Sequence, residues 1–381
     1  SWAGSSRPMR KPRRTEIPAG PFARALLAWY ARERRDLPWR ATKDPYRIWV
    51  SEIMLQQTQV ATVIPYYERF LGRFPTLKAL ALADREAVLK AWEGLGYYRR
   101  AAHLHEGARA VLARHAGRFP SDPEAVRALP GIGDYTAGAI RSIALGQDAA
   151  LVDGNVARVL TRLAAIRQPP LESGTKKTLW ALAVSLLPPG RAGDFNQALM
   201  ELGALVCTPR APACPSCPVA GFCRARREGL TDRIPARPAR KALPRRRETI
   251  AVISRDERLY LHRRPEGGLL GGLWEFPAVP DPGEAASQKL LAALFRRSGV
   301  RARPCGSLGR FRHTFTHFKL EVGVGVYEAA GKGREANARR WVDAATLDEL
   351  PVTRLTRRIH EAWLKRQEAP LPLFEGTAAG I

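Results

Sequence analysis

Four of the five cysteines stand at Cys207, Cys214, Cys217 and Cys223, a Cys-x6-Cys-x2-Cys-x5-Cys pattern inside seventeen residues. Thiolates in sets of four hold structural zinc and iron–sulfur centres. The short spacing, broken by Pro209, Pro212, Pro215 and Pro218, suits a tight loop around one centre better than four thiols buried as small apolar groups. Spacing leaves tetrahedral zinc and a [4Fe–4S] cluster both open; a disulfide pair is disfavoured in a reducing cytosol. Cys305 stands apart and reads as structural. A second constellation is Leu129-Pro130-Gly131-Ile132-Gly133-Asp134, a Gly-x-Gly turn running into a helical pattern. Two glycines permit positive φ and close backbone approach, leaving the N–H groups of the next helix free to hold a phosphate. The charge of Asp134 suits a helix N-terminus but repels that phosphate. Lys and Arg number 62 against 36 Asp and Glu, a net charge of +26 whose field favours a polyanionic partner.

These groups need elements to position them. A chain of 381 residues suits two domains at about 100–200 residues each. Residues 1–18 are basic and poor in large apolar groups, so a disordered tail is expected there. From 19 to 228, stretches such as ALLAWYARER and TKKTLWALAVSLL repeat apolar residues at three and four, which predicts an all-α domain. Residues 229–247 gather arginines and Pro235, Pro238 and Pro244, and read as a linker. Beyond it, TIAVISRDERLYLHRR reads as two β-rich runs joined by a polar turn and HFKLEVGVGVYEA alternates like a strand, so 248–366 is expected to be a mixed α and β domain, with a tail over 367–381. No apolar run approaches the ~18–20 residues of a membrane span, and the N-terminus lacks the apolar stretch of a secretory signal. A cytoplasmic protein with no membrane contact is expected.

The Gly-x-Gly turn, the aspartate of Leu151-Val152-Asp153-Gly154-Asn155-Val156 and the cysteine loop follow in the order found in endonuclease III-like glycosylases. Segment 129–140 resembles their helix-hairpin-helix, which grips a DNA phosphate without reading sequence, here through Gly131, Ile132 and Gly133. The run Trp49-Val50-Ser51-Glu52-Ile53-Met54-Leu55-Gln56-Gln57-Thr58-Gln59-Val60, with Asp36-Leu37-Pro38-Trp39-Arg40 and Gly94-Leu95-Gly96-Tyr97-Tyr98, narrows the resemblance to MutY-type adenine DNA glycosylases.

That resemblance implies a [4Fe–4S] cluster on the four cysteines and two carboxylates for chemistry. Glu52 would protonate adenine at N7 and later activate water, which requires a pKa raised by a closed apolar pocket. Asp153 would stay ionised and stabilise the oxocarbenium-like sugar, with Tyr135 and Asn155 as positioning groups. Tyr135 stands where bifunctional relatives carry the lysine that attacks the sugar, so a monofunctional enzyme without an imine is implied. Because adenine must be extruded from the duplex, the family match places Gln57, Leu95 and Tyr97 in or beside the stack and Thr58 near the opposite base. Arg35, Leu37, Trp39 and Arg40 would line the adenine pocket, with Gln197 facing the base. The implied substrate is double-stranded DNA with adenine opposite 8-oxoguanine or guanine, met by a monomer associated with the nucleoid.

Gly267 to Pro277 resembles the opening of a Nudix fold, but Ala286 to Gly299 lacks the glutamates that bind Mg2+ there, so binding rather than hydrolysis is expected. Phe315-Thr316-His317 matches the family's Phe-Ser-His loop for 8-oxoguanine with Thr for Ser. Pro370-Leu371-Pro372-Leu373-Phe374 resembles a sliding-clamp peptide, making the clamp a candidate partner through Leu371–Phe374. Two other readings stand beside this one: an endonuclease III-like lyase on oxidised pyrimidines, which Tyr135 argues against, and a non-catalytic Fe–S protein that marks damaged DNA.

Overall fold

The computed structural model describes residues 17–236, 242–331, 333 and 335–368. The tail expected over 1–18 lies outside the described residues save for Ile17 and Pro18, as do 237–241 of the linker and all of Leu371–Phe374. The helices in chain order are α1 (Ala19–Glu33), α2 (Pro45–Leu55), α3 (Val60–Arg73), α4 (Leu77–Leu82), α5 (Arg85–Ala91), α6 (Arg99–Arg114), α7 (Pro123–Arg127), α8 (Asp134–Ala139), α9 (Gly154–Leu163), α10 (Ser173–Leu186), α11 (Ala192–Leu205), α12 (Arg224–Arg227), α13 (Glu284–Ser298), α14 (Ala344–Glu349) and α15 (Arg354–Glu368). The strands are β1 (Arg245–Arg255), β2 (Arg258–Arg263), β3 (Trp274–Glu275), β4 (Ala278–Pro280), β5 (Ala302–Thr314), β6 (Lys319–Ala329) and β7 (Arg339–Val342). They form two compact units, Ser1–Val60 with Ala110–Ala239, and Ala61–Arg109 with Arg240–Ile381.

In the first unit the described residues form helices and turns only. Phe22, Leu26, Trp29 and Tyr30 recur at helical spacing on α1 and meet Val159 and Leu160 of α9, Leu179 and Leu182 of α10, and Phe195, Leu199 and Leu202 of α11 in one core. Asp44 starts α2 by accepting the Tyr46 N–H at 2.9 Å, with Pro45 at the first helical position where its missing N–H costs nothing. After α8 the helix widens into one π turn over Ile140–Ala144. There Ser142 Oγ donates to the Gly138 carbonyl at 2.7 Å, and Asn196 of α11 donates to Ser142 Oγ at 2.9 Å and the Ala149 carbonyl at 2.8 Å. Such widened turns let a helix re-aim its side chains.

The second unit is built on a seven-stranded sheet whose main path runs β3-β2-β1-β6-β5. β1 and β6 pair in parallel from Arg245↔Lys319 to Ser254↔Glu328, so Arg245–Arg247, expected in the linker, already belong to the sheet. The two central strands are buried on both faces, as parallel pairs usually are. Ile250 and Val252 join Val322, Val324, Leu355, Ile359 and Trp363 on one side. Ala251 and Ile253 join Tyr327, Leu291, Leu294 and Phe295 on the other. The polar turn expected between β1 and β2 is Asp256-Glu257, both at positive φ (49° and 62°), the geometry of a tight hairpin.

Candidate active site

Around Glu52 on α2, Tyr46, Ile48, Trp49, Val50, Ile53 and Met54 are all buried, and the one polar neighbour buried with them, Ser51, donates its hydroxyl to the Ile48 carbonyl at 2.8 Å. The helix therefore carries the carboxyl into the interior, where it is 4% exposed. Burial pushes Glu52 up to about 7, and the nearby charge of Asp153 adds to the rise. The Tyr135 hydroxyl, which donates to Glu52 Oε2, and the Arg40 guanidinium act in the opposite direction. Burial also holds the Tyr135 phenol well above its ordinary range, so the phenol keeps its proton and serves as the donor.

Asp153 is the N-cap of α9, extended at φ −95° and ψ −173°. It accepts the Val156 N–H at 2.6 Å and Asn155 Nδ2 at 3.1 Å. Burial raises its pKa, while those two hydrogen bonds and Arg158 favour the anion. The two carboxyls thus sit in unlike surroundings, one accepting from a phenol and the other capping a helix N-terminus.

Other residues singled out in the first unit are placed as follows. Arg35 and Arg40 both fork onto Glu201, with contacts of 2.7 to 3.0 Å. Leu37 and Trp39 are buried between them in sequence. Gln197 is half-buried and its Nε2 donates to the Gly193 carbonyl at 3.2 Å, within its own helix. Gln57 is exposed, at φ +58°, in the turn that ends α2, and Thr58 beside it is half-buried. In the hairpin only Gly131 uses positive φ (+78°); Gly133 is the extended N-cap of α8 at φ −94°, with open space where a Cβ would point. Ile132 is buried, and exposed Asp134 pairs with Arg127 at 2.7 Å, which offsets its charge.

In the second unit Leu95 is buried, whereas Tyr97 is 42% exposed and strained at φ +49°. Its hydroxyl lies 2.7 Å from Thr316 Oγ1, so two residues singled out separately meet. Arg100 stands over the Tyr97 and Trp92 rings. Phe315, Thr316, His317 and Phe318 form the tip between β5 and β6, closed by the Phe315 N–H on the Phe318 carbonyl at 2.9 Å. Phe315 stacks on Phe318, with the Arg246 guanidinium 4.2 Å from the Phe318 ring centre, and leaves Thr316 and His317 exposed.

The four cysteines, with Arg162, Val206, Pro212 and Arg226 among their neighbours, line one hollow. Among the described residues no three His, Cys, Asp or Glu side chains are grouped to hold a single metal ion. Burial pushes the Cys217 thiol up to about 11. Arg162 Nη1 donates to Cys207 Sγ at 3.3 Å, a contact suited to a sulfur bearing negative charge. Four sulfurs around one hollow, with a guanidinium against one of them, are a donor set suited to a thiolate-bound metal centre.

Residues 50–183 match the model of the HhH-GPD superfamily of base excision DNA repair proteins, and residues 249–362 that of the NUDIX domain. The adenine DNA glycosylase of Rattus norvegicus is 42% identical over 368 residues, 82% of this chain and 71% of its own length. That of Schizosaccharomyces pombe is 34% identical over 95% of this chain and 94% of its own. The chain belongs to the adenine DNA glycosylase family. The human adenine DNA glycosylase is 43% identical over 80% of this chain, which spans about two thirds (66%) of that protein. Among solved structures, a thermostable thymine-DNA glycosylase superposes with a TM-score of 0.50 at 33% identity, covering 55% of this chain and 97% of that one.

Two residues of this adenine DNA glycosylase family member escape the sequence reading. Glu201 carries one signal, a lone acid in the apolar run Ala198-Leu199-Met200-Glu201-Leu202, which by itself suggests a buried ion pair and nothing about its partners. Arg158 carries none. From α9 it donates to Asn155 Oδ1 at 2.8 Å, to the Gly203 carbonyl at 2.7 Å and to the Cys207 carbonyl at 2.8 Å. It thus ties the Asp153 cap to α11 and to the start of the cysteine loop.

Proposed function

We propose that the chain removes adenine from duplex DNA by hydrolysing its N-glycosidic bond, with Glu52 as proton donor and Asp153 as the stabilising anion. The support lies above all in one group: a buried carboxyl pushed up to about 7, with a phenol on one oxygen and a second carboxyl within electrostatic reach. An acid poised near neutrality holds its proton long enough to deliver it to a leaving base and is then basic enough to take one from water. Positive charge grows on the sugar carbon as the bond breaks, and the Asp153 anion, held by two hydrogen bonds, offsets it. Tyr135 orients Glu52 and offers no amine, so the product is an abasic site in an uncut strand. Asn155 fixes Asp153. Leu37, Trp39, Arg35, Arg40 and Gln197 shape the pocket for the extruded base, and Gln57 fills the gap it leaves.

The base opposite adenine is 8-oxoguanine, read by Phe315, Thr316 and His317 beside Tyr97. Gly131, Ile132 and Gly133 hold a backbone phosphate. Cys207, Cys214, Cys217 and Cys223 hold a [4Fe–4S] cluster. When bound, it supplies the iron–sulfur bonds that fix the loop from 207 to 223. Among the described residues no helix is long and apolar enough to cross a membrane. Leu371–Phe374 is proposed, on its sequence alone, to dock on a sliding clamp.

The test is product analysis under single-turnover conditions on duplexes with adenine opposite 8-oxoguanine, guanine or thymine. Free adenine and an alkali-labile site are expected from the first two, with no borohydride-trapped adduct. A trapped adduct, or release of oxidised pyrimidines in place of adenine, overturns the reading.

A further inference from the structure

Glu201 is 1% exposed on α11, and both of its oxygens are fully used. Oε1 accepts the Arg35 backbone N–H at 2.8 Å, Arg35 Nε at 3.0 Å and Arg40 Nη1 at 3.0 Å. Oε2 accepts Arg35 Nη2 at 2.7 Å and Arg40 Nη2 at 2.9 Å. The two guanidinium forks hold its carboxyl well below the usual range, at about 2, although burial opposes them. Glu201 is therefore an anion throughout the pH range of a folded enzyme and carries no proton for the reaction.

Its effect is on Arg40. That side chain is 11% exposed, gives a third hydrogen bond to the Arg35 carbonyl at 2.8 Å, and has its guanidinium carbon 5.4 Å from the Tyr30 ring centre. Tyr135 of α8, Asp153 at the start of α9 and Arg40 are the titratable and charged groups that act on Glu52. Tyr30 of α1, itself reached by Arg34 and Asp194, is the further titratable group beside the Arg40–Glu201 pair. A guanidinium released here would find another carboxyl, Glu52, on which its charge already acts, and a fork onto Glu52 would favour its ionised form.

We propose that Glu201 is a positioning residue that keeps the Arg40 guanidinium forked away from Glu52, so that the proton donor holds its proton until the departing base takes it. This rests on the role proposed for Glu52. The experiment is the pH dependence of single-turnover adenine release by the full chain for wild type, E52Q, E201Q, R40M and the R40M/E201Q double variant, with circular dichroism and thermal melts as controls of folding. In E201Q the pH at which the rate has fallen by half should move down by about one unit, so release on the alkaline side drops about tenfold. In R40M it should move up. The double variant should share the R40M midpoint, because Glu201 then has no Arg40 to hold.

A folded E201Q with an unmoved or raised midpoint, or a rate reduced equally at every pH, overturns the proposal. If E201Q fails to fold, the double variant decides: a midpoint below that of R40M overturns it and a shared midpoint supports it. E52Q separates the two failures, since release at the wild-type rate by that variant removes the proton donor itself.

Discussion

Burial on α2 leaves Glu52 protonated in mild acid and ionised in mild alkali, because its pKa is pushed up to about 7 from 4.5. The folded state therefore binds a proton that the unfolded chain has lost across that window. Stability from this group is complete below the unfolded value and falls as pH rises through about 7. Removing the charge without changing the shape should expose that cost. Thermal melts of Glu52→Gln are expected to match wild type near about pH 5 and to lie above it by a few degrees near about pH 8. A variant less stable than wild type at both values would mean that the carboxyl is not held in an apolar setting. Glu201 shows the reverse: held at about 2, it contributes stability above the ordinary carboxylate range that is lost as pH falls towards 2. At this scale the raised pKa of Glu52 was expected from the family resemblance, whereas the rise that burial also gives Asp153 was not, since it depends on what packs around it.

The elements place Asp153 and Asn155 through close backbone approach. A Cβ at Gly203 of α11 would lie 2.7 Å from Asn155 Cβ and 3.1 Å from its carbonyl oxygen, so these two elements touch without side chains between them. Gly203→Ala should cost about 1–3 kcal/mol of stability and, by moving the residue that donates to Asp153, slow adenine release more than its melting point alone would suggest. Paired melting and single-turnover measurements check this; a loss of stability with an unchanged rate would count against Asn155 as a positioning group. The helices were legible from apolar periodicity, and β6 from its alternation. The π turn over Ile140–Ala144 was not, because one widened turn leaves the sequence pattern intact. The hairpin was half legible: two glycines were expected to use their freedom, and only Gly131 does. Gly133 has open space at its Cβ position, which leaves room for a close neighbour such as a phosphate.

For the molecule as a whole, the net charge of +26 carries a direct consequence. Each phosphate neutralised releases counterions, so duplex affinity should fall with salt at a log–log slope of about −0.9 per contact. Titrations on matched and mismatched duplexes should share most of that slope, and a slope near zero would exclude backbone binding as the source of affinity. Specificity belongs to contacts the charge count cannot reveal. Tyr97 and Thr316 are 219 positions apart and meet at 2.7 Å within the second unit, which sequence spacing cannot announce. Thr316→Val removes that contact while keeping the methyl group, and should lower the preference for adenine opposite 8-oxoguanine over adenine opposite guanine several-fold; competition between the two duplexes reads it. The arginines of 245–247 show why the domain edge was misplaced: a basic, proline-flanked run looks like linker until β6 supplies a partner strand.

Adenine release from a duplex carrying adenine opposite 8-oxoguanine, followed in a single turnover against pH for wild type and Glu52→Gln, bears on the proton donor with the fewest intermediate assumptions. The wild-type rate should decline as pH rises through about 7, and Glu52→Gln should bind the duplex yet release adenine at least about a hundredfold more slowly. Equal rates for the two proteins, with a flat profile across that range, would assign the proton to another group.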